Sequence, residues 1–344
     1  MKRLFGTLGG REIYAVDLKS NNISCTVITL GCILQSLYVP DSGGKAENIV
    51  LGYDSPGEYA ASVGHFGEVV GRCCNRIGDS RFTLDGVEYT LPANDGRNHL
   101  HGGPLGFGER IWDIADCDDN KAVFTLDSCD GDMGYPGNVH VQCTYALSDD
   151  GKLSVNYEAT TDKATPICLT NHSYFNLNGC SESTVGEHIM WIDADSMNEQ
   201  DFDIIPTGRI VSVLGGVYDF TTPKAIGRDF DSDPDMKKQC GGYDNNFIFN
   251  DFDGKLRRRC TLESPESGIK MTVSTDQPCV GVYTANMLDE DDVPFKGGVK
   301  QVKRSAVCFE TQKMPDAINH PEFTSTVLEP GEVYTHNTVF AFEA

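Results

Sequence analysis

The strongest constraint on this chain is an alternation of apolar and polar residues that returns from one end to the other. It is clearest over Ser24 to Ile28, Lys121 to Leu126, Val139 to Leu147, Lys152 to Ala159, Gly268 to Ser274 and Thr338 to Phe342. A period of two puts every second side chain on one face of an extended strand. Gly, Asp, Asn or Pro bounds most of these segments, and Asp85-Gly86, Asp150-Gly151 and Asp253-Gly254 read as hairpin turns. No stretch of about 12 residues combines helical periodicity with caps. The expected class is therefore all-β, with antiparallel pairing.

The 344 residues could make two ordinary domains or one large β domain, since single β folds of more than ~200 residues are common. No low-complexity linker divides them. The acidic, glycine-rich passages 228–245 and 287–298 read as long loops, so one sandwich over residues 1–344 is the economical expectation. Gly-Tyr-Asp occurs at 52–54 and 242–244 without a regular period, which gives no support to a repeat fold.

No segment approaches the ~18 uninterrupted apolar residues of a membrane span. The opening MKRLFGTLGGREIYAV meets Gly, Arg and Glu before a signal-peptide core develops, so the expectation is a cytoplasmic protein. Thirteen cysteines are scattered without a scaffold-like spacing, which suggests reduced thiols. A formal charge of −23 disfavours nucleic acid and anionic membranes as partners, because like charges repel. A small, neutral partner is expected, with the chain a monomer or weak homodimer.

Five polar clusters carry possible chemistry. In GRCCNRIGDS (71–80), Arg72 and Arg76 flank Asn75, although in so acidic a chain both arginines could simply serve ion pairs. In NHLHGGPLGFGERIW (98–112), His99 and His101 would share one face of a strand and raise the possibility of zinc, with Cys73, Cys74 or His172 as further ligands. No Cys-x-x-Cys or His-Glu-x-x-His spacing accompanies them. Gly102 and Gly103 fit better with backbone that must approach a ligand closely. In PICLTNHSYFNLNG (166–179), polar groups crowd around His172, either as a satisfied core histidine or as a proton donor near neutral pH. In GGYDNNFIFN (241–250), Asp244 is either a turn residue or a carboxylate for a hydroxyl-rich ligand. In CFETQKMPDAINHP (308–321), Glu310 closes a short apolar strand, where a carboxylate is a candidate for a perturbed, working group.

Carboxylates, histidines, arginine, asparagine and aromatic rings, without a phosphate loop or nucleotide fingerprint, are the furniture of a sugar site. A Glu with a His would supply a general base and a general acid.

Taken in order, GRCCNRI, LHGG followed by GF and Trp112, DGDMGYPGNV, NHSYFNL, GYDNNF and ETQKMPDAINHP resemble the aldose 1-epimerase (galactose mutarotase) family from about Gly6 to Phe342. The resemblance implies a single β-supersandwich that interconverts α and β anomers of free hexoses such as galactose and glucose, with no cofactor and no metal. By the same resemblance Glu310 would be the base and His172 the acid, and Asn75, Arg76, His101 and Asp244 would bind the sugar. His99 is left as a structural neighbour. One position departs from the family pattern: Gly281 stands where Gln is frequent, which implies a missing side-chain hydrogen bond to the sugar. Two competitors stand beside this reading. A hexose 6-phosphate would need a basic anchor, yet Arg257, Arg258 and Arg259 alternate along a strand and cannot all face one phosphate. A non-catalytic sugar-binding module would have no use for an acid–base pair.

Overall fold

The computed structural model describes residues 1–344 apart from 231, 233, 235, 237–239, 290 and 291. Its larger sheet shows how the alternating pattern becomes structure. Along Val139–Ser148, buried and more exposed residues alternate throughout, and the strand pairs with Lys152–Thr161 from Val139↔Thr161 to Ser148↔Lys152. The hairpin between them turns at Gly151, whose φ of 78° lies in the left-handed region that glycine enters without a steric penalty. Every expected strand is present, with ends that shift by a few residues. For instance, Thr338 to Phe342 lies within Tyr334–Glu343, and Gly268 to Ser274 becomes Lys270–Thr275.

Nine strands form this sheet, and six form a second, shorter one. The second sheet runs Tyr174–Phe175, Val307–Gln312, Cys279–Tyr283, Asp244–Ile248, Ser196–Gln200 and Pro206–Ser212. All its pairs are antiparallel. A five-stranded meander, Lys2 to Asn48, precedes both. One apolar core contains residues of all three sheets, among them Val16, Leu37, Phe124, Val155, Val273, Phe309 and Phe340. Each such side chain contributes on the order of 1.5–3 kcal/mol by leaving water.

Helix is scarce. The α-helix Pro56–Ala61 is capped by Ser55. The Glu58 amide donates to the Ser55 hydroxyl, and the Glu58 carboxylate accepts from the Asp54 amide at 3.1 Å. It delivers the chain to the segment 62–68, which borders the site below. Of the two passages expected as loops, 231, 233, 235, 237–239, 290 and 291 lie outside the described residues. The first passage also ends differently, because Asp244 already opens a strand of the six-stranded sheet.

Candidate functional site

Residues opposite one another in an antiparallel sheet project to the same face, as do residues two apart on one strand. The register of the six-stranded sheet pairs Asp244 with Tyr283 and Tyr283 with Cys308, and pairs Asn246 with Gly281 and Gly281 with Glu310. Asp244, Tyr283 and Glu310 therefore belong to one face, and all three line a cavity of about 270 Å³. Its size suits one small molecule. Glu310 does not close its strand as the sequence reading had it. Val307–Gln312 is buried at every position, and Glu310 lies inside the ladder, paired with Gly281 two residues before the strand ends.

Opposite this floor stand the loop residues. His172 falls between two short strands, Thr170–Asn171 and Tyr174–Phe175, and its ring stacks on Tyr174 with centroids 5.0 Å apart. Its backbone is tied to segment 62–68 twice: its amide donates to Glu68 O at 3.0 Å, and Gly67 N–H donates to its carbonyl at 2.9 Å. Asn75, Arg76 and His101 complete the wall. Asn75 and His101 have left-handed backbone, φ 60° and 54°. For residues with a Cβ this costs on the order of 1–3 kcal/mol, and such outliers gather at functional sites. The Asn75 amide donates to His101 Nδ1 at 3.1 Å, which leaves the ring proton on Nε2. Arg76 Nε donates to Asp95 at 2.7 Å, which orients the guanidinium.

Glu310 and His172 meet at 3.5 Å, from Oε1 to Nε2. Burial disfavours charge on both. It pushes the Glu310 carboxyl up to about 8, with the nearby Asp244 charge adding to the rise and His65 and Arg76 opposing it. It pulls the His172 imidazole down to about 3, helped by the charge on His65. Asp244 is raised as well, by burial, with Arg76 in opposition. Glu310 Oε2 is buried without a hydrogen-bond partner. Beside the cavity, that oxygen is placed to meet a ligand hydroxyl, since leaving a buried polar atom unpaired is costly.

The six residues expected to form a site thus lie around one cavity. Arg72, Cys73, Cys74, His99 and the arginines 257–259 do not line it. Arg72 is 2% exposed and gives its guanidinium to Ser128, Cys129 O, Pro136 O and Thr165, so it braces the loops. His99 and His101 do not share a face, because their strand covers only His99–Leu100 and the chain then turns at His101. His99 pairs instead with Pro92 O at 2.7 Å and packs on Tyr135. The three consecutive arginines also separate: Arg257 pairs with Asp253, Arg258 lies over Trp191, and Arg259 is buried against Asp193.

The metal question takes a different form. Ligand atoms of His101, His172 and Glu310 lie within 4.8 Å of one another. These residue types could bind zinc. Yet His101 would have to give up its proton on Nε2 while Nδ1 still accepts from Asn75, so the tautomer that this contact sets makes it a donor and not a ligand. A hydroxyl-rich ligand suits it better.

The family model described as aldose 1-epimerase matches residues 14–341. The chain belongs to the aldose 1-epimerase family. It is 39% identical over 344 residues to the galactose mutarotase of Bos taurus, covering 99% of this chain and 98% of that one. To the aldose 1-epimerase of Escherichia coli K12 it is 36% identical over 338 residues, covering 97% and 96%. Among solved structures, an aldose epimerase homologue from C. elegans superimposes with a TM-score of 0.89 at 30% identity, over 96% of this chain and 98% of that one. The galactose 1-epimerase of Lactobacillus acidophilus does so with 0.86 at 26% identity, over 100% and 98%. The all-β sandwich expected from the sequence is thus the fold of this family.

The sequence reading missed His65, Phe66, Tyr174 and Tyr283, which also line the cavity. His65 did leave a signal: it stands with Phe66 between Gly64 and Gly67, just before the GRCCNRI segment.

Proposed function

We infer that the chain is an aldose mutarotase that interconverts the α and β anomers of free hexoses such as D-galactose and D-glucose. The observation that carries this is the Glu310–His172 pair, 3.5 Å apart and buried in a cavity lined by hydrogen-bonding side chains. Near neutral pH the pair shares one exchangeable proton. With Glu310 raised and His172 lowered, the resting form keeps it on Glu310. Hydroxyls of the bound sugar supply hydrogen bonds that favour the carboxylate, and the proton passes to His172 Nε2. Glu310 then takes the proton of the C1 hydroxyl while His172 gives its proton to the ring oxygen. The C1–O5 bond breaks, and an open aldehyde results. Rotation about C1–C2 presents the other face, and the reverse transfers close the ring. Each positioned proton carrier is worth roughly 10²–10⁴-fold, enough for a reaction that already proceeds slowly in water.

Arg76, Asn75, His101 and Asp244 hold the hydroxyls in this reading. Arg76 and His101 donate, and Asp244 accepts. At Gly281 no side chain reaches the sugar: a Cβ there would come within 3.2 Å of the Gln312 amide, which belongs to the sheet's own hydrogen bonding through Asn246. A hexose 6-phosphate fits less well. The cavity lining includes Asp244, Asp292 and Glu310, and its one arginine is already engaged by Asp95.

Every residue given a role in this reading comes from one chain, which fits one domain over residues 1–344 acting as a monomer or weak homodimer. All thirteen cysteines are free, as a reducing cytoplasm would keep them. No helix among the described residues is long and apolar enough to cross a membrane.

Polarimetry of freshly dissolved α-D-galactose and α-D-glucose tests the reading. Wild type hastens the approach to the anomeric equilibrium, and Glu310→Ala does not. Sugar binding by a wild type that leaves the rate at the uncatalysed value would make the protein a non-catalytic binder.

A further inference from the structure

Three imidazoles, not two, meet at the cavity. The His65 ring centroid lies 4.8 Å from that of His101 and 6.0 Å from that of His172. His65 lines the cavity, and its φ of 57° puts it in the same left-handed region as Asn75 and His101. Its Nδ1 is 2.6 Å from Oε1 of Glu68, a carboxylate only 9% exposed. The segment that carries both residues is fastened to the His172 backbone from two sides. With Nδ1 committed to Glu68, the other ring nitrogen, Nε2, has no hydrogen-bond partner among the described residues.

We propose that His65, clamped by Glu68, is a further substrate-contacting residue of this cavity, which donates from Nε2 to a hydroxyl of the bound aldose. The proposal rests on the mutarotase reading above. His65 must hold its proton to act as a charged donor, and its surroundings favour that. Burial alone would lower its affinity for the proton, but the charge and hydrogen bond of Glu68 outweigh it, with Glu109 and Glu310 adding to the effect, so the pKa is raised from its ordinary value. The other titratable rings that face it, His101 and His172, are both kept neutral by burial. Of the three imidazoles, His65 is the one whose surroundings favour the charged form, and a charged donor makes the stronger hydrogen bond.

The roles of Glu68 and His65 separate by pH. Anomerisation of α-D-galactose is followed by polarimetry from pH 5.5 to 9 for wild type, His65→Ala, His65→Asn and Glu68→Gln, with thermal melts as a folding control. His65→Ala raises KM roughly tenfold or more, the value of one charge-assisted hydrogen bond, with a smaller change in kcat. His65→Asn, which keeps a donor, recovers part of the loss. Glu68→Gln comes closest to wild type at the acidic end, where proton supply offsets the lost Glu68 charge, and approaches His65→Ala as pH rises. If KM of His65→Ala and of Glu68→Gln stays at the wild-type value across the range, His65 does not touch the sugar. A Glu68→Gln defect that is the same at every pH would reduce the pair to a loop brace and overturn the proposal. In either case wild type still accelerates the reaction. A wild type without acceleration sinks the parent reading, and this proposal with it.

Discussion

Two histidines are buried against opposite faces of the same strand, Val307–Gln312, and they differ in what their neighbours leave unfinished. His336 faces the core side, where Nδ1 donates to Leu169 O at 3.1 Å and Nε2 lies 3.0 Å from the hydroxyls of Thr311 and Thr338, which also bond each other. His172 faces the cavity, 3.6 Å from the Cys308 sulfur and 3.5 Å from a glutamate whose second oxygen has no partner. Burial lowers the pKa of both, His336 to about 4 and His172 to about 3. A depressed histidine therefore does not by itself mark a working group. The distinguishing feature is the polar atom that the fold leaves unpaired beside an opening.

Exchanging the polar groups on the two faces should break protein function in two different ways. The largest effect belongs to the cavity face. Glu310→Gln and His172→Asn should each lower kcat by roughly 10²–10⁴-fold with modest change in KM, because a proton moved in the transition state contributes little to ground-state binding. Steady-state polarimetry reads this directly. A change confined to KM in His172→Asn would make His172 a binding residue.

On the core face the expected loss is stability. His336→Phe removes the hydrogen-bond partner that Nε2 offers the Thr311–Thr338 hydroxyl pair and the donor to Leu169 O, and a stranded buried group costs about 1–3 kcal/mol. Denaturant melts should show that loss while kcat of the folded fraction stays close to wild type. A His336 variant that keeps wild-type stability but loses turnover would reverse the assignment of the two faces.

Sequence alone carries only part of this distinction. The strands were legible because alternation is a local property, as in Val139 to Leu147. The motif histidine His172 and the carboxylate Glu310 were legible as chemistry within a resembling pattern. His336 attracted no attention, although it is 0% exposed, because it sits in an ordinary alternating strand. Residue type and spacing left Arg72 and Arg76 equivalent; the resemblance singled out Arg76, and the packing supplies the physical reason, sending Arg72 into the loops and Arg76 to the cavity. His65 and Glu68 pair across three residues in an irregular turn, where no periodicity reveals which side chains meet. Side-chain direction in loops depends on contacts far away in sequence, so local reading ends there.

The comparison also has a pH signature. Glu310 has a folded pKa raised to about 8 from 4.5, so the folded state holds its proton more tightly than the unfolded chain. The stabilisation this gives is fully present below about 4.5 and is lost as pH rises through about 8. Glu310→Gln lacks this titration. Its melting temperature relative to wild type should therefore climb between those limits and level off above them. The histidines act in the opposite direction: both folded pKa values are depressed from 6.5, to about 3 and about 4. Stability is full above about 6.5 and falls as pH drops toward those values. His336→Phe should lose part of that acid sensitivity. A flat difference between Glu310→Gln and wild type from pH 4 to 9 would mean that Glu310 is not a buried, raised carboxyl.

The smallest expected effect tests how redundant the core face is. The Thr338 hydroxyl lies 2.6 Å from that of Thr311, 3.0 Å from His336 Nε2 and 3.3 Å from that of Thr275. When Thr338→Val removes it, Thr311 still serves His336 at 3.0 Å, and Thr275 still donates to Asn337 O at 2.9 Å. No partner is left wholly unpaired, so the cost should be near the net value of a single hydrogen bond, about 1 kcal/mol. Valine also restores the volume of threonine without opening a void. A loss of several kcal/mol in a denaturant melt would show that the three hydroxyls and His336 act as one cooperative network. His336 would then be held as tightly as the cavity holds His172 loosely, and the contrast between the two faces would be sharper than pairwise bonds imply.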